Sequence, residues 1–239
     1  MRQERPGRGG RRFLRGGSRV QDWVELFNGS DLTGWQARRE PHTWRVVGDV
    51  GLDAEDPARL TARPGTGVLL NREDGRTVDL FTEFEHGSCA LHLEYCVPAR
   101  SNSGVYLQGR YEIQILDSWG EAPPLRYGTN GGIYARRDPQ TKTTYDGHPP
   151  RSNASRPPGQ WQELDVVFRA PAFDAEGRKL RDAVCERVVL NGEVIHQGVH
   201  LSGPTGGAWG AGEAVRGPLR LQGDHGPVAF RGIRVQPLD

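Results

Sequence analysis

Glu112 and Gln114 alternate with Tyr111, Ile113 and Ile115, so a carboxylate and an amide share one face of a strand whose other face is apolar. Asn102, Tyr106, Gln108, Asp117 and Trp119 lie within the same stretch. A face of Asn, Gln, Glu, Tyr and Trp makes poor core and good sugar-binding surface, because amides and carboxylates bond hydroxyls while rings lie against a pyranose. An ordinary solvated face of an antiparallel sheet fits the same pattern. If the strand over 111–115 lies beside another central strand, Glu112 is half-buried. Burial raises a carboxyl pKa and suits it to general acid or base work. Asp117, at the strand exit, is a second carboxylate candidate, although a five-residue spacing does not force the two to converge. His225 sits in the tight turn Asp224-His225-Gly226-Pro227, where Asp224 can orient the imidazole. A turn residue bonded to backbone is the alternative for His225.

The elements that position these residues read as strands. The 102–108 and 111–116 runs form a hairpin turning at Gly109. Further strands are expected over 23–27, 44–47, 59–62, 67–70, 81–84, 89–97, 161–169, 185–190, 193–196, 219–222 and 228–231, with 232–236 continuing to the end. Asn191-Gly192 is the strongest hairpin signal, since both turn positions need positive φ. Residues 121–160 show no strong periodicity apart from Gly132-Ile133-Tyr134 and read as a long loop, either functional or mobile. That loop carries Tyr127, Asn130, Tyr134, Tyr145, His148, Arg151 and Asn153, and Tyr134 and His148 are candidate ligand contacts. No long amphipathic helix is apparent. The expected fold is all-β, an antiparallel β-sandwich of roughly a dozen short strands by pattern.

Composition agrees with many strands and many turns: 33 Gly and 17 Pro in 239 residues, with a mean hydropathy of −0.65. Lys+Arg number 31 against 30 Asp+Glu, so no global field draws the chain to nucleic acid or a membrane surface. No apolar run reaches membrane-spanning length. Residues 1–22 are Arg- and Gly-rich and read as a disordered leader, followed by one domain over 23–239. Arg11-Arg12-Phe13-Leu14 is followed by Arg15-Gly16-Gly17 where an export signal needs an apolar segment, so no signal peptide is expected. Three cysteines cannot form a closed disulfide framework, and Cys89 and Cys96 have strand parity that faces them apart. Zinc-type Cys/His spacing, HExxH, Walker A, GxSxG and calcium-loop spacing are all absent. No metal site and no cofactor are expected.

Several motifs occur in one order: Leu26-Phe27-Asn28-Gly29 with Leu32-Thr33-Gly34-Trp35, Asn102-Ser103-Gly104-Val105-Tyr106, Tyr111-Glu112-Ile113-Gln114 and Gly132-Ile133-Tyr134. Pro158-Gly159-Gln160-Trp161, Asn191-Gly192 and Leu221-Gln222-Gly223-Asp224-His225-Gly226-Pro227-Val228 follow. Each is weak alone. The ordered set, running from about Trp23 to Leu238, resembles the 3-keto-disaccharide hydrolase domain family. The resemblance implies a concanavalin A-like jelly roll whose concave face and loops bind sugar. It also implies cleavage of glycosides already oxidised to a ketone at C3. Such a ketone acidifies the C2 proton. A base removes it, the C1 substituent departs and water adds to the enone, without the carboxylate pair of ordinary glycosidases.

Carried onto this chain, the motif positions are Asn102, Tyr106, Glu112, Gln114, Tyr134, Gln222, Asp224 and His225. Glu112 or His225 would be the base or acid. Asn102, Gln114 and Gln222 would hold hydroxyls, with Tyr106, Tyr134 or Trp119 against the ring. Relatives commonly carry an export leader, so the resemblance implies a periplasmic or secreted protein, and this chain departs there. Two further readings stand beside the enzyme: a non-catalytic carbohydrate-binding module of the same fold, and an ordinary glycoside hydrolase with two carboxylates about 5–10 Å apart.

Overall fold

The computed structural model describes residues 22–210 and 212–239. The expected leader falls outside the described residues, apart from Asp22. In chain order the strands are β1 (Val24–Glu25), β2 (Trp35–Ala37), β3 (Arg45–Leu52), β4 (Leu60–Leu70), β5 (Leu80–His86), β6 (Cys89–Cys96), β7 (Asn102–Leu107) and β8 (Tyr111–Leu116). There follow β9 (Arg136–Arg137), β10 (Thr144–Tyr145), β11 (Gln162–Arg169), β12 (Ala172–Phe173), β13 (Lys179–Arg181), β14 (Ala183–Leu190), β15 (Glu193–Leu201), β16 (Gly217–Leu221) and β17 (Ala229–Pro237). Among the described residues no helix is long and apolar enough to cross a membrane.

Two antiparallel sheets dominate. The larger has eight strands in the order β15-β14-β11-β6-β17-β4-β3, with β1 paired to β17. The smaller has five, β2-β5-β16-β7-β8. Alternating residues of both sheets meet in one core: Leu91, Leu93, Leu164, Val166 and Phe168 from the larger sheet, Val105, Leu107, Tyr111, Ile113 and Ile115 from the smaller. This is the all-β antiparallel sandwich expected from the alternation, with the jelly-roll architecture that the family resemblance implied. Ile113 is wholly buried, and truncating it to Ala would cost about 2–5 kcal/mol.

Several elements differ in extent from the sequence expectation. Leu26 and Phe27 leave the sheet after a two-residue β1 and enter the core, where Leu26 O accepts from Trp35 Nε1 at 2.7 Å. β4 runs unbroken through Gly65-Thr66-Gly67, where two strands were expected. β17 takes in the expected 228–231 strand and its continuation over 232–236, and its pairing with β6 shifts between Arg231 and Arg234. The Asn191-Gly192 turn forms as expected, with φ of 52° and 84°, but β15 continues to Leu201.

The largest correction concerns 121–160. This segment is not a free loop. Ile133 bridges both Ile113 and His148, so the chain lies along the open edge of β8. β9 and β10 then form a hairpin within it. The alternation signal is lost because each contact spans only a few residues. All three cysteines are buried and unpaired. Cys89 joins the core between the sheets and Cys96 a second cluster, as their parity required.

Candidate functional site

The register of the smaller sheet assembles the site on its outer face. Glu112 pairs with Tyr106, Tyr106 with Arg220, and Arg220 with Phe81, so one residue from each of four strands forms a row. Gln114 opposes Gly104 in the adjacent row. Period two then places Asn102 and Gln222 on the same face. Two segments wall this face in. Tyr134 N donates to Glu112 O (3.1 Å), and Thr205 Oγ1 accepts from Glu112 N (3.2 Å). The result is a cleft of about 430 Å³ lined by Asn102, Tyr106, Glu112, Gln114, Tyr134, Arg220, Gln222, Asp224 and His225, among others. That is within the range of small-ligand sites.

Glu112 is 3% exposed rather than half-exposed, because the walls cover the face that the sequence left open to solvent. Its side chain lies over Gly104. A Cβ on Gly104 would come within 2.3 Å of Glu112 Oε1, so any larger residue here would displace the carboxyl from this position. Burial pushes the Glu112 pKa up to about 8, against the opposing pull of a hydrogen bond from Tyr106 and the charge of Arg220. Burial, then the neighbouring Glu112 charge, raises the Tyr106 phenol well above its ordinary value, so it stays protonated as a donor. The Arg220 guanidinium sits 4.1 Å from the Tyr106 ring centroid. Arg220 is in turn fixed by Asp79 at 2.7 Å and by Gly207 O at 2.6 Å. Gln114 Nε2 donates to Asn102 Oδ1 (2.8 Å), which orients both amides. Gln222 Nε2 reaches Tyr106 OH at 3.4 Å, and its buried Oε1 has no protein partner.

His225 and Asp224 form the rim. His225 Nδ1 donates to the Asp224 carboxylate, which leaves Nε2 as the free ring nitrogen. A second chamber of about 490 Å³ opens beside the first. It shares Asn102, Gln114 and Tyr134 and adds Leu116, Leu125, Tyr127 and Pro149. Tyr127 and Tyr134 meet edge to face at 5.2 Å.

Three sequence candidates lie outside the cleft. The Asp117 carboxylate accepts from Arg100 N (2.9 Å) and Trp119 N (3.3 Å) and so shapes the turn after β8. Trp119 is 58% exposed and lines neither chamber. His148 is bridged to Ile133 and stands 3.7 Å from Asp146. Conversely, sequence reasoning missed Arg220, although its spacing from Gln222 puts the two on one face. It also missed Asp79, which no local pattern marks, and the rim cations Arg38, Arg137 and Lys142.

One group of metal-type ligands occurs among the described residues. His92, Glu163 and Asp165 offer atoms within 4.8 Å of one another on the outer face of the larger sheet, on the opposite side of the sandwich from the cleft. His92 Nδ1 already donates to Asp165 Oδ1 at 2.8 Å, and the set lies apart from the chemistry of Glu112.

Solved structures similar to the chain include two candidate glycosyl hydrolases of Parabacteroides distasonis ATCC 8503. One is 25% identical with a TM-score of 0.63, over 91% of this chain and 84% of its own. The other is 20% identical with a TM-score of 0.55, over 91% of this chain and 100% of its own. No curated protein matches the chain. Residues 22–236, which carry both sheets and every cleft residue, match the model of the 3-keto-alpha-glucoside-1,2-lyase-like domain, and the chain belongs to that carbohydrate-active family.

Proposed function

We propose that the cleft cleaves glycosides carrying a ketone at C3 of the sugar, by elimination across C1 and C2 followed by addition of water. The observation that carries this reading is the buried Glu112, a carboxyl of raised basicity on the cleft floor beside a phenol that stays protonated and keeps its O–H to donate. Glu112 takes the C2 proton, and the electron pair moves toward the C3 oxygen. Tyr106 donates to the resulting enolate oxygen. Its ring is held by Arg220, so no reorganisation is needed as charge develops. The C1–O bond then breaks to give the enone, and His225, acting as an imidazolium paired with Asp224, gives its Nε2 proton to the departing oxygen. Water adds at C1 and returns a proton to His225, while Glu112 returns the first proton to C2, which releases the 3-keto sugar. Asn102, Gln114 and Gln222 hold hydroxyls.

A second reading rests on Asp224. The structure brings it into the same cleft, and its charge contributes to raising the Glu112 pKa. An ordinary glycosidase would use Glu112 as acid and Asp224 as the partner carboxylate. The bond between Asp224 and His225 disfavours that role.

The test is turnover of a 3-keto-glucoside beside its unoxidised parent, with sugar and aglycone followed by chromatography. Release from the keto substrate alone supports the elimination. Release from the parent favours the two-carboxylate reading. Binding without release from either moves the chain to a carbohydrate-binding module.

A further inference from the structure

The cleft is more cationic than the chain that contains it. Overall the charges balance, 31 Lys+Arg against 30 Asp+Glu. In the chamber that holds Glu112, however, Arg38, Arg137, Lys142 and Arg220 face only Glu112 and Asp224. The compensation is uneven. Arg220 and Arg38 share Asp79, at 2.7 and 3.9 Å. Asp224 is taken by His225. Arg137 and Lys142 form no ion pair among the described residues, and Lys142 Nζ reaches only Pro139 O, at 2.6 Å.

Both free cations belong to one built element, the β9–β10 hairpin. Asp138 Oδ1 accepts from Gln140 N (2.8 Å) and Thr141 N (2.7 Å), and Lys142 N closes onto Asp138 O at 3.0 Å. The hairpin is tied down on its far side. Arg136 stacks 5.1 Å from the Tyr145 ring centroid and donates to Ser202 Oγ at 2.8 Å, and Tyr127 OH meets Thr144 Oγ1 at 3.0 Å. Two unpaired cations and the Thr144 side chain are thereby held against one wall of the cleft. Walls of one sign focus the field in a cleft and raise the local concentration of a counter-charged ligand.

We infer that the sugar held in the Glu112 chamber carries an anionic oxygen group, a carboxylate or a sulfate ester, received by Arg137 and Lys142 on the β9–β10 hairpin. The inference rests on the reading of the cleft as a glycoside site and names the substrate class. A neutral glucoside would leave both cations without a counter-charge. An acidic sugar supplies one and gains direction from the fork geometry of Arg137.

The experiment is calorimetric binding of methyl glucoside, methyl glucuronide and methyl glucoside 6-sulfate to the full chain, at low and high salt. The acidic sugars are expected to bind about tenfold more tightly than the neutral one at low salt, with the advantage shrinking as salt rises. The double variant Arg137→Gln/Lys142→Gln is expected to erase the difference between acidic and neutral ligands. A gain confined to the glucuronide identifies an acidic sugar, and one confined to the sulfate identifies a sulfated sugar. Equal affinities in the wild type, no binding by any of the three, or a preference that survives the double variant would each overturn the inference. Turnover of 3-keto-glucosides is read separately. Its absence with the charge preference intact counts against the elimination alone, and its presence without the preference counts against the anionic ligand alone.

Discussion

Replacing Glu112 by Gln separates what this residue costs the fold from what it does for chemistry. In the unfolded chain a glutamate titrates near 4.5, and in the cleft burial holds it at about 8. The sign follows from proton counting. Between these values the folded state keeps a proton that the unfolded state has lost, so stability falls as pH rises from 4.5 toward 8. Integrating the difference gives a cost of about 1 kcal/mol near pH 5, about 3 near pH 7 and about 5 near pH 9. Gln cannot ionise, so Glu112→Gln removes this pH-dependent cost. Any lost hydrogen bond adds an offset that does not vary with pH. Urea unfolding of both proteins at about pH 5, 7 and 9 reads the difference directly, because every other titrating group cancels. The gap is expected to move in favour of the variant by about 4 kcal/mol across that range. Turnover of a 3-keto-glucoside is expected to fall by about 10²–10⁴-fold in the same variant. A gap that stays flat with pH would refute the buried-carboxyl argument, and full turnover would refute the role as base.

Four further outcomes follow from the same geometry. Gly104→Ala places a Cβ within 2.3 Å of Glu112 Oε1, so the carboxyl must move; turnover is expected to drop more than tenfold while thermal melting shifts little. Asp79→Ala strands the Arg220 guanidinium in a buried position and is expected to cost about 3–5 kcal/mol in urea unfolding. His86 and His196 are buried and uncharged, with burial lowering each from 6.5 to about 4, so they stabilise the fold fully above 6.5 and progressively less as pH falls toward 4. Each is expected to forfeit about 2 kcal/mol between pH 7 and about pH 5, and denaturation of His86→Gln should show a shallower acid loss than the wild type. Burial pushes the thiols of Cys89, Cys96 and Cys185 up to about 12, so a thiol reagent should label none of them in the native protein and all of them in urea.

The sandwich was legible because its information is local. Period-two alternation along β6, β8 and β11 survives in the sequence, since each strand packs one face on the same core. The Asn191-Gly192 turn was legible for a similar reason, because positive φ at both positions selects those residue types. The segment 121–160 was not legible. Its order comes from single bridges to Ile113 and from ties such as Tyr127 to Thr144, which leave no period. Asp117 shows the opposite failure. A carboxylate near Glu112 in sequence looked chemical, yet strand exits also need acceptors for free N–H groups, and that is the use observed.

The site was half legible for a physical reason that also explains its chemistry. Asn102, Tyr106, Glu112, Gln114 and Gln222 could be found because polar groups at alternate positions of a strand have no reason to occur in a core. Arg220 has the same spacing, but a lone Arg between two Leu residues reads as solvent-facing. Only cross-strand register shows that it lies over Tyr106, and only chain closure brings Asp79 under it. The buried pair matters beyond stability. Arg220 lowers the Glu112 pKa while burial raises it, and Asp79 tempers that pull by drawing on the guanidinium and adding its own negative charge. Deleting Asp79 should therefore move the Glu112 pKa downward, and the pH profile of turnover should shift with it toward acid, even where the folded fraction is held constant. A merely structural role for Asp79 would lower the profile without displacing it along the pH axis.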